Sequence, residues 1–139
     1  MNQLIIFALV IAMHFSLNEA WTKCADNVAE VQNQLAPGQI LMAHCVNSIG
    51  KDFGHDHLIF KQPVRLIFQD VANRHERTVL TCKLRHGPKK ENVFDLQIYR
   101  AGEIARCGQY RSWQARNDGI WTRTDPSKPY THRYNWMKA

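Results

Sequence analysis

From Val28 onward, apolar side chains recur at every second position in short segments separated by Gly, Pro, Asn or Asp, the spacing of half-buried β-strands. In residues 39–46, Leu41, Ala43 and Cys45 fall on one face and Ile40, Met42, His44 and Val46 on the other, and the Cys45 face is expected to point inward. Val64, Leu66 and Phe68 alternate with Arg65, Ile67 and Gln69. Leu80, Cys82 and Leu84 alternate with Val79, Thr81 and Lys83, and Phe94, Leu96 and Ile98 with Asp95, Gln97 and Tyr99. Each pattern predicts a strand of about five to seven residues. A first segment over 28–34 leads into Pro37-Gly38, residues suited to a tight turn, and then into 39–46, so these two strands are expected to pair as a hairpin. Asn117, Asp118 and Gly119 separate 111–116 from 120–123, and Asp-Gly predicts a two-residue hairpin loop with positive φ at both positions. Helical spacing is sustained nowhere. The expected fold is all-β, a small antiparallel β-sandwich of about seven strands in a single domain over residues 21–139.

The N-terminus sets the compartment. Residues 4–13 form an apolar run that is too short to cross a bilayer, which takes about 20 residues, and it reads as the core of a secretory signal peptide ending at Ala20. A secreted chain folds where thiols oxidise, so Cys24, Cys45, Cys82 and Cys107 predict two disulfides. Spacing alone leaves three pairings open. Zinc is disfavoured, because no two of these cysteines are closely spaced in the C-x-x-C manner. A true immunoglobulin domain is excluded, because no Trp lies between Cys45 and Cys82 or between Cys82 and Cys107.

Charge narrows the partners. Of 139 residues, 18 are Lys or Arg and 12 Asp or Glu, a formal net charge of +6 that favours anionic surfaces. The basic residues are scattered, with Lys89-Lys90 the only adjacent pair, and no nucleic-acid motif accompanies them. His55, Asp56 and His57 carry groups suited to metal binding or proton transfer. They lack a third ligand at a diagnostic spacing and a nucleophile motif, and they read as part of a solvated loop. His44 beside Cys45 is not a catalytic pair if Cys45 is oxidised. Trp113 and Trp121 are expected to pack about the Asp118-Gly119 turn. Tyr130, Tyr134 and Trp136 belong either to an ordered tail or to a mobile one used in binding.

An ordered series of short motifs then carries a family likeness. Asn33, Leu35, Pro37 and Gly38, then Leu41, His44, Cys45 and Ser48, then Asp52 and Gly54 resemble the successive signatures of the plant self-incompatibility S-protein homologues. Thr78, Leu80 and Cys82, then Phe94, Asp95, Ile98 and Tyr99, and finally Cys107, Trp113, Asp118 and Gly119 continue the resemblance over residues 28–122. The chain departs from the pattern in Phe53, in Arg85-His86, in Gly102-Glu103, in an extra residue between Leu96 and Tyr99, and in lacking a second Cys before Trp113.

The resemblance implies a secreted, non-enzymatic signalling ligand recognised by a cell-surface receptor protein, in self-recognition or another cell-to-cell signal. It is expected to be a monomer, with no cofactor, no metal, no nucleic-acid partner and no stable membrane insertion. Loops 47–57 and 85–92 are the expected recognition elements, with Asp52, His55, Asp56, His57, Lys89 and Lys90 as candidate contacts. The competing reading is a cationic defence protein that binds anionic membranes or cell-wall glycans.

Overall fold

The computed structural model describes residues 24–71 and 76–139, so the expected signal segment lies outside the described residues. Among those described, ten strands form: β1 (Asn27–Gln34), β2 (Leu41–Asn47), β3 (Asp52–Leu58), β4 (Pro63–Phe68), β5 (Val79–His86), β6 (Asn92–Arg100), β7 (Tyr110–Arg116), β8 (Gly119–Arg123), β9 (Thr131–Tyr134) and β10 (Met137–Lys138). They build two five-stranded sheets, in the orders β4-β1-β7-β8-β9 and β10-β6-β5-β2-β3. All the strands inferred from alternation are present, and the inward sides are those expected: Leu41, Ala43 and Cys45 on β2, and Leu80, Cys82 and Leu84 on β5, are buried. Val31, Ala115 and Ile120 of the first sheet close the core from the other side.

Two of the four cysteines sit in that core. Cys45 and Cys82 face each other in register across β2 and β5 and are bonded, while Cys24 and Cys107 tie the segment before β1 to the one before β7. The extra residue between Leu96 and Tyr99 is a β-bulge. Leu80 pairs with Tyr99 and Thr81 with Gln97, which leaves Ile98 unpaired, and both Ile98 and Tyr99 are buried.

The structure corrects several expectations. β1 and β2 are not a hairpin: β1 pairs with β4 and β7, and β2 with β3 and β5. The turn itself forms, with Pro37 at its second position, Gly38 at φ 83° and the Gln39 N–H on the Ala36 carbonyl at 3.1 Å. What redirects the chain is Asn33, fully buried on β1. Its Nδ2 donates to the carbonyls of Gln39 and Leu58, both at 2.8 Å, and its Oδ1 accepts the Leu35 N–H at 2.9 Å. This clamp carries the chain across the sandwich as an arch between sheets.

The sandwich is also not purely antiparallel, since β1 and β7 run parallel. It has ten strands rather than seven because β3, β9 and β10 carry almost no apolar alternation. The 117–119 turn differs in detail as well. Asn117 and Asp118 are its two loop residues and neither has positive φ, whereas Gly119, with φ 142°, opens β8. Glycine is required there because a Cβ would stand 2.4 Å from the Tyr134 carbonyl and 2.6 Å from His132 Nε2. The C-terminal tail is ordered: Tyr134 stacks on Phe94 at 4.8 Å, Trp136 meets His86 edge-on at 4.3 Å, and Trp136 Nε1 donates to the Arg116 carbonyl at 2.7 Å. Trp113 is buried and donates to the Ile98 carbonyl, whereas Trp121 lies on the outer face, half-exposed and bonded to Asp118.

Candidate functional site

The expected loop over 47–57 is mostly strand. A short turn follows β2, where Asn47 Oδ1 accepts the N–H groups of Ile49 and Lys51, and residues 52–58 then form β3 at the edge of the second sheet. Asp52 starts it. Its carboxylate accepts the Gly54 N–H at 2.7 Å and the His44 Nε2–H at 2.8 Å, and these two bonds, the backbone one first, hold its pKa below the usual value. With Gly54 at φ 88° and a bulge between His44 and Val46, the D-F-G motif is the device that bends β3 onto β2. Ser48 acts likewise for β5, bonding the Arg77 carbonyl and accepting the Val79 N–H.

Register then decides what shares a face. Met42 pairs with His57 on β3 and with Arg85 on β5, and His44 pairs with His55 and Lys83, so three columns of outward side chains stand side by side. The rings of His44 and His55 stack at 3.9 Å. Met42, His44, His55, Asp56, Lys83, Arg85 and Lys90 border a depression of about 380 Å³ on this face.

The sequence-predicted residues thus divide. His55, Asp56 and Lys90 line the depression and Asp52 reaches it through His44. His57 stands beside it opposite Met42, and Lys89 is exposed without lining it. The loop expected over 85–92 corresponds to the turn after β5, and its first and last residues lie in strands. There Lys90 adopts φ 55° and its N–H bonds the Gly87 carbonyl. Lys83 was missed as a site residue, and Arg85 was expected only as the first residue of the 85–92 loop, not as a contact. The signal was present, since both occupy the outward parity of β5, but that parity carries weight only once β2 and β3 are known to lie alongside.

The outer face of the first sheet is the other broad surface, and its cations are already engaged. Arg116 stacks on Trp121 at 4.1 Å and donates twice to Gln114 Oε1, Arg123 covers Tyr130 at 4.4 Å, and Arg65 pairs with Glu30 at 2.9 Å. By contrast, the side chains of Lys83, Arg85 and Lys90 make no hydrogen bond, ion pair or ring contact among the described residues. Their charge is free to meet a ligand. No group of three or more His, Cys, Asp or Glu suited to a metal ion occurs among the described residues.

Comparison with known proteins agrees with the motif series. The family model for plant self-incompatibility protein S1 matches residues 28–136. S-protein homolog 25 of Arabidopsis thaliana is 37% identical over 141 residues, covering 99% of both chains. S-protein homolog 30 of the same plant is 38% identical over 136 residues, covering 94% of this chain and 99% of that one. A solved structure of a self-incompatibility protein homologue, described as one of a widespread family of small, highly stable, secreted plant proteins, superposes with a TM-score of 0.65 at 27% identity. It covers 81% of this chain and 96% of its own. The match over residues 28–136, relatives 37–38% identical over nearly whole chains and the shared two-sheet fold show that this chain belongs to the plant self-incompatibility protein S1 family of secreted S-protein homologues.

Proposed function

We propose that this secreted protein is a non-enzymatic signalling ligand, and that a cell-surface receptor protein recognises it through the outward face of β2, β3 and β5 and the 87–91 turn. The observation that carries the reading is the set of unpaired cations, Lys83, Arg85 and Lys90, around a depression on a rigid sheet. A scaffold closed by two disulfides and a buried Asn33 clamp fixes the backbone that carries these side chains, so binding has to order the side chains but not the sheet, which favours selectivity. The same charge supports the second reading, adsorption of a cationic defence protein to anionic membranes or glycans, and the two separate by salt dependence. Labelled protein is added to plant cells across a salt series with unlabelled competitor. A receptor gives saturable, competable binding that persists near physiological salt. Non-saturable binding lost on screening replaces the receptor reading with adsorption.

A further inference from the structure

The outward face of the second sheet has a repeat that selects the conformation of what it binds. Lys83 and Arg85 stand two residues apart on β5, His55 and His57 two apart on β3, and Met42 and His44 between them on β2. Alternate residues of a strand are about 6.8 Å apart and adjacent strands about 4.8 Å, so a Lys83–Arg85 column and a His55–His57 column of equal period flank a central one at a separation of roughly 10 Å. An extended peptide lying along β2 has the same period. Its alternate side chains can meet Lys83 and Arg85, or His55 and His57, in succession, while its other side chains project away. The Met42 side chain offers that peptide an adaptable apolar contact between the charges.

We propose that this face binds an extended acidic segment of the receptor, with Asp or Glu at every second position, laid along β2 over Met42 and His44. The inference rests on the receptor reading and adds the chemistry and conformation of the bound segment. The charged groups around this face are Asp52 at His44, Lys83 and Arg85 on β5, Asp95 on β6 opposite Lys83, Lys90 of the turn, and Asp56, which borders the depression but pairs with the buried Ala43 on the other parity of β3. The two signs are equal in number, three carboxylates and three cations, but Asp52 is bonded to His44 and to the Gly54 N–H, whereas Lys83, Arg85 and Lys90 have no partner among the described residues.

The test uses the secreted, disulfide-bonded protein, labelled for NMR, and three probes: an octapeptide of alternating Glu and Thr, its isomer with four adjacent Glu followed by four Thr, and a tetragalacturonate. The expected result is that the alternating peptide shifts signals of Met42, His44, Lys83 and Arg85 and binds at least about fivefold tighter than its isomer. The surface variant Lys83→Gln/Arg85→Gln loses most of that binding. Equal affinity for the two peptides, shifts centred elsewhere, or tighter binding of the galacturonate overturns the inference. The two failures are distinct. Salt-resistant, competable cell binding without peptide binding removes only the acidic-segment proposal, whereas peptide binding without saturable cell binding removes the receptor reading.

Discussion

Replacing Asn33 with Ala tests whether one buried side chain joins the two sheets. The substitution deletes three hydrogen bonds of 2.8–2.9 Å and leaves the buried Leu35 N–H and Leu58 carbonyl, and the part-buried Gln39 carbonyl, without that partner. Each such bond contributes a net ~1 kcal/mol, and stranding its buried partner raises the cost, so the expected loss is about 3 to 5 kcal/mol. Because Leu58 ends β3 and Gln39 precedes β2, the damage should fall on the sheet that carries the recognition face. Urea unfolding of the disulfide-intact protein reads it directly. With a slope of roughly 1–3 kcal/mol per M, the midpoint should drop by at least about 1 M. Asn33→Asp keeps the acceptor for Leu35 but turns oxygen toward two carbonyls, and it should be no more stable than Asn33→Ala. A midpoint change below about 0.3 M for Asn33→Ala refutes the clamp.

Other expectations follow from single sites. Burial lowers the pKa of His86, which packs on Trp136 with its Nε2 unbonded. The unfolded chain therefore binds its proton first: the contribution of His86 is complete above about pH 6.5 and is lost as pH falls from there toward the folded value. His86→Gln should flatten the fall in urea midpoint between pH 7 and 5; an unchanged slope assigns that fall elsewhere. Peptide mapping without reduction should recover Cys24 joined to Cys107 and Cys45 to Cys82, and any other pairing contradicts the β2–β5 register. Removing the second bridge, which spans 37 residues, as Cys45→Ala/Cys82→Ala should cost about 4 kcal/mol by loop closure, read as a lower melting temperature.

Alternation made the buried strands legible because each places one face in the core and one in solvent, as β5 does with Leu80, Cys82 and Leu84. The same logic fails at edges. β3 reads Asp-Phe-Gly-His-Asp-His-Leu, and its strand conformation comes from pairing with β2 and from the Asp52 bonds rather than from periodic burial. The Pro37-Gly38 turn was visible, but its use as an arch depends on where Asn33 sends its amide, a contact with residues 25 positions away that no local pattern encodes. The candidate site divides along the same line. His55, Asp56 and Lys90 stood out as chemically able residues and Arg85 only as the start of a loop, whereas Lys83 became a site residue only through cross-strand register. Asp70 was likewise illegible: its side chain is fully buried and accepts from Asn27, Tyr99 and the Arg106 N–H, three groups widely separated in sequence.

The recognition face can be tested against net charge alone by paired charge reversals. Lys83→Glu/Arg85→Glu changes the exposed face of β5, and Lys128→Glu/Arg133→Glu makes the same net change on and before β9. Both are compared for saturable, competable binding to plant-cell surfaces at physiological salt, with thermal unfolding confirming the fold. Recognition through this face predicts at least about tenfold weaker binding for the first variant and near-native binding for the second. Equal loss in both, or none in the first, contradicts the claim that the face of β2, β3 and β5 is where this protein is recognised.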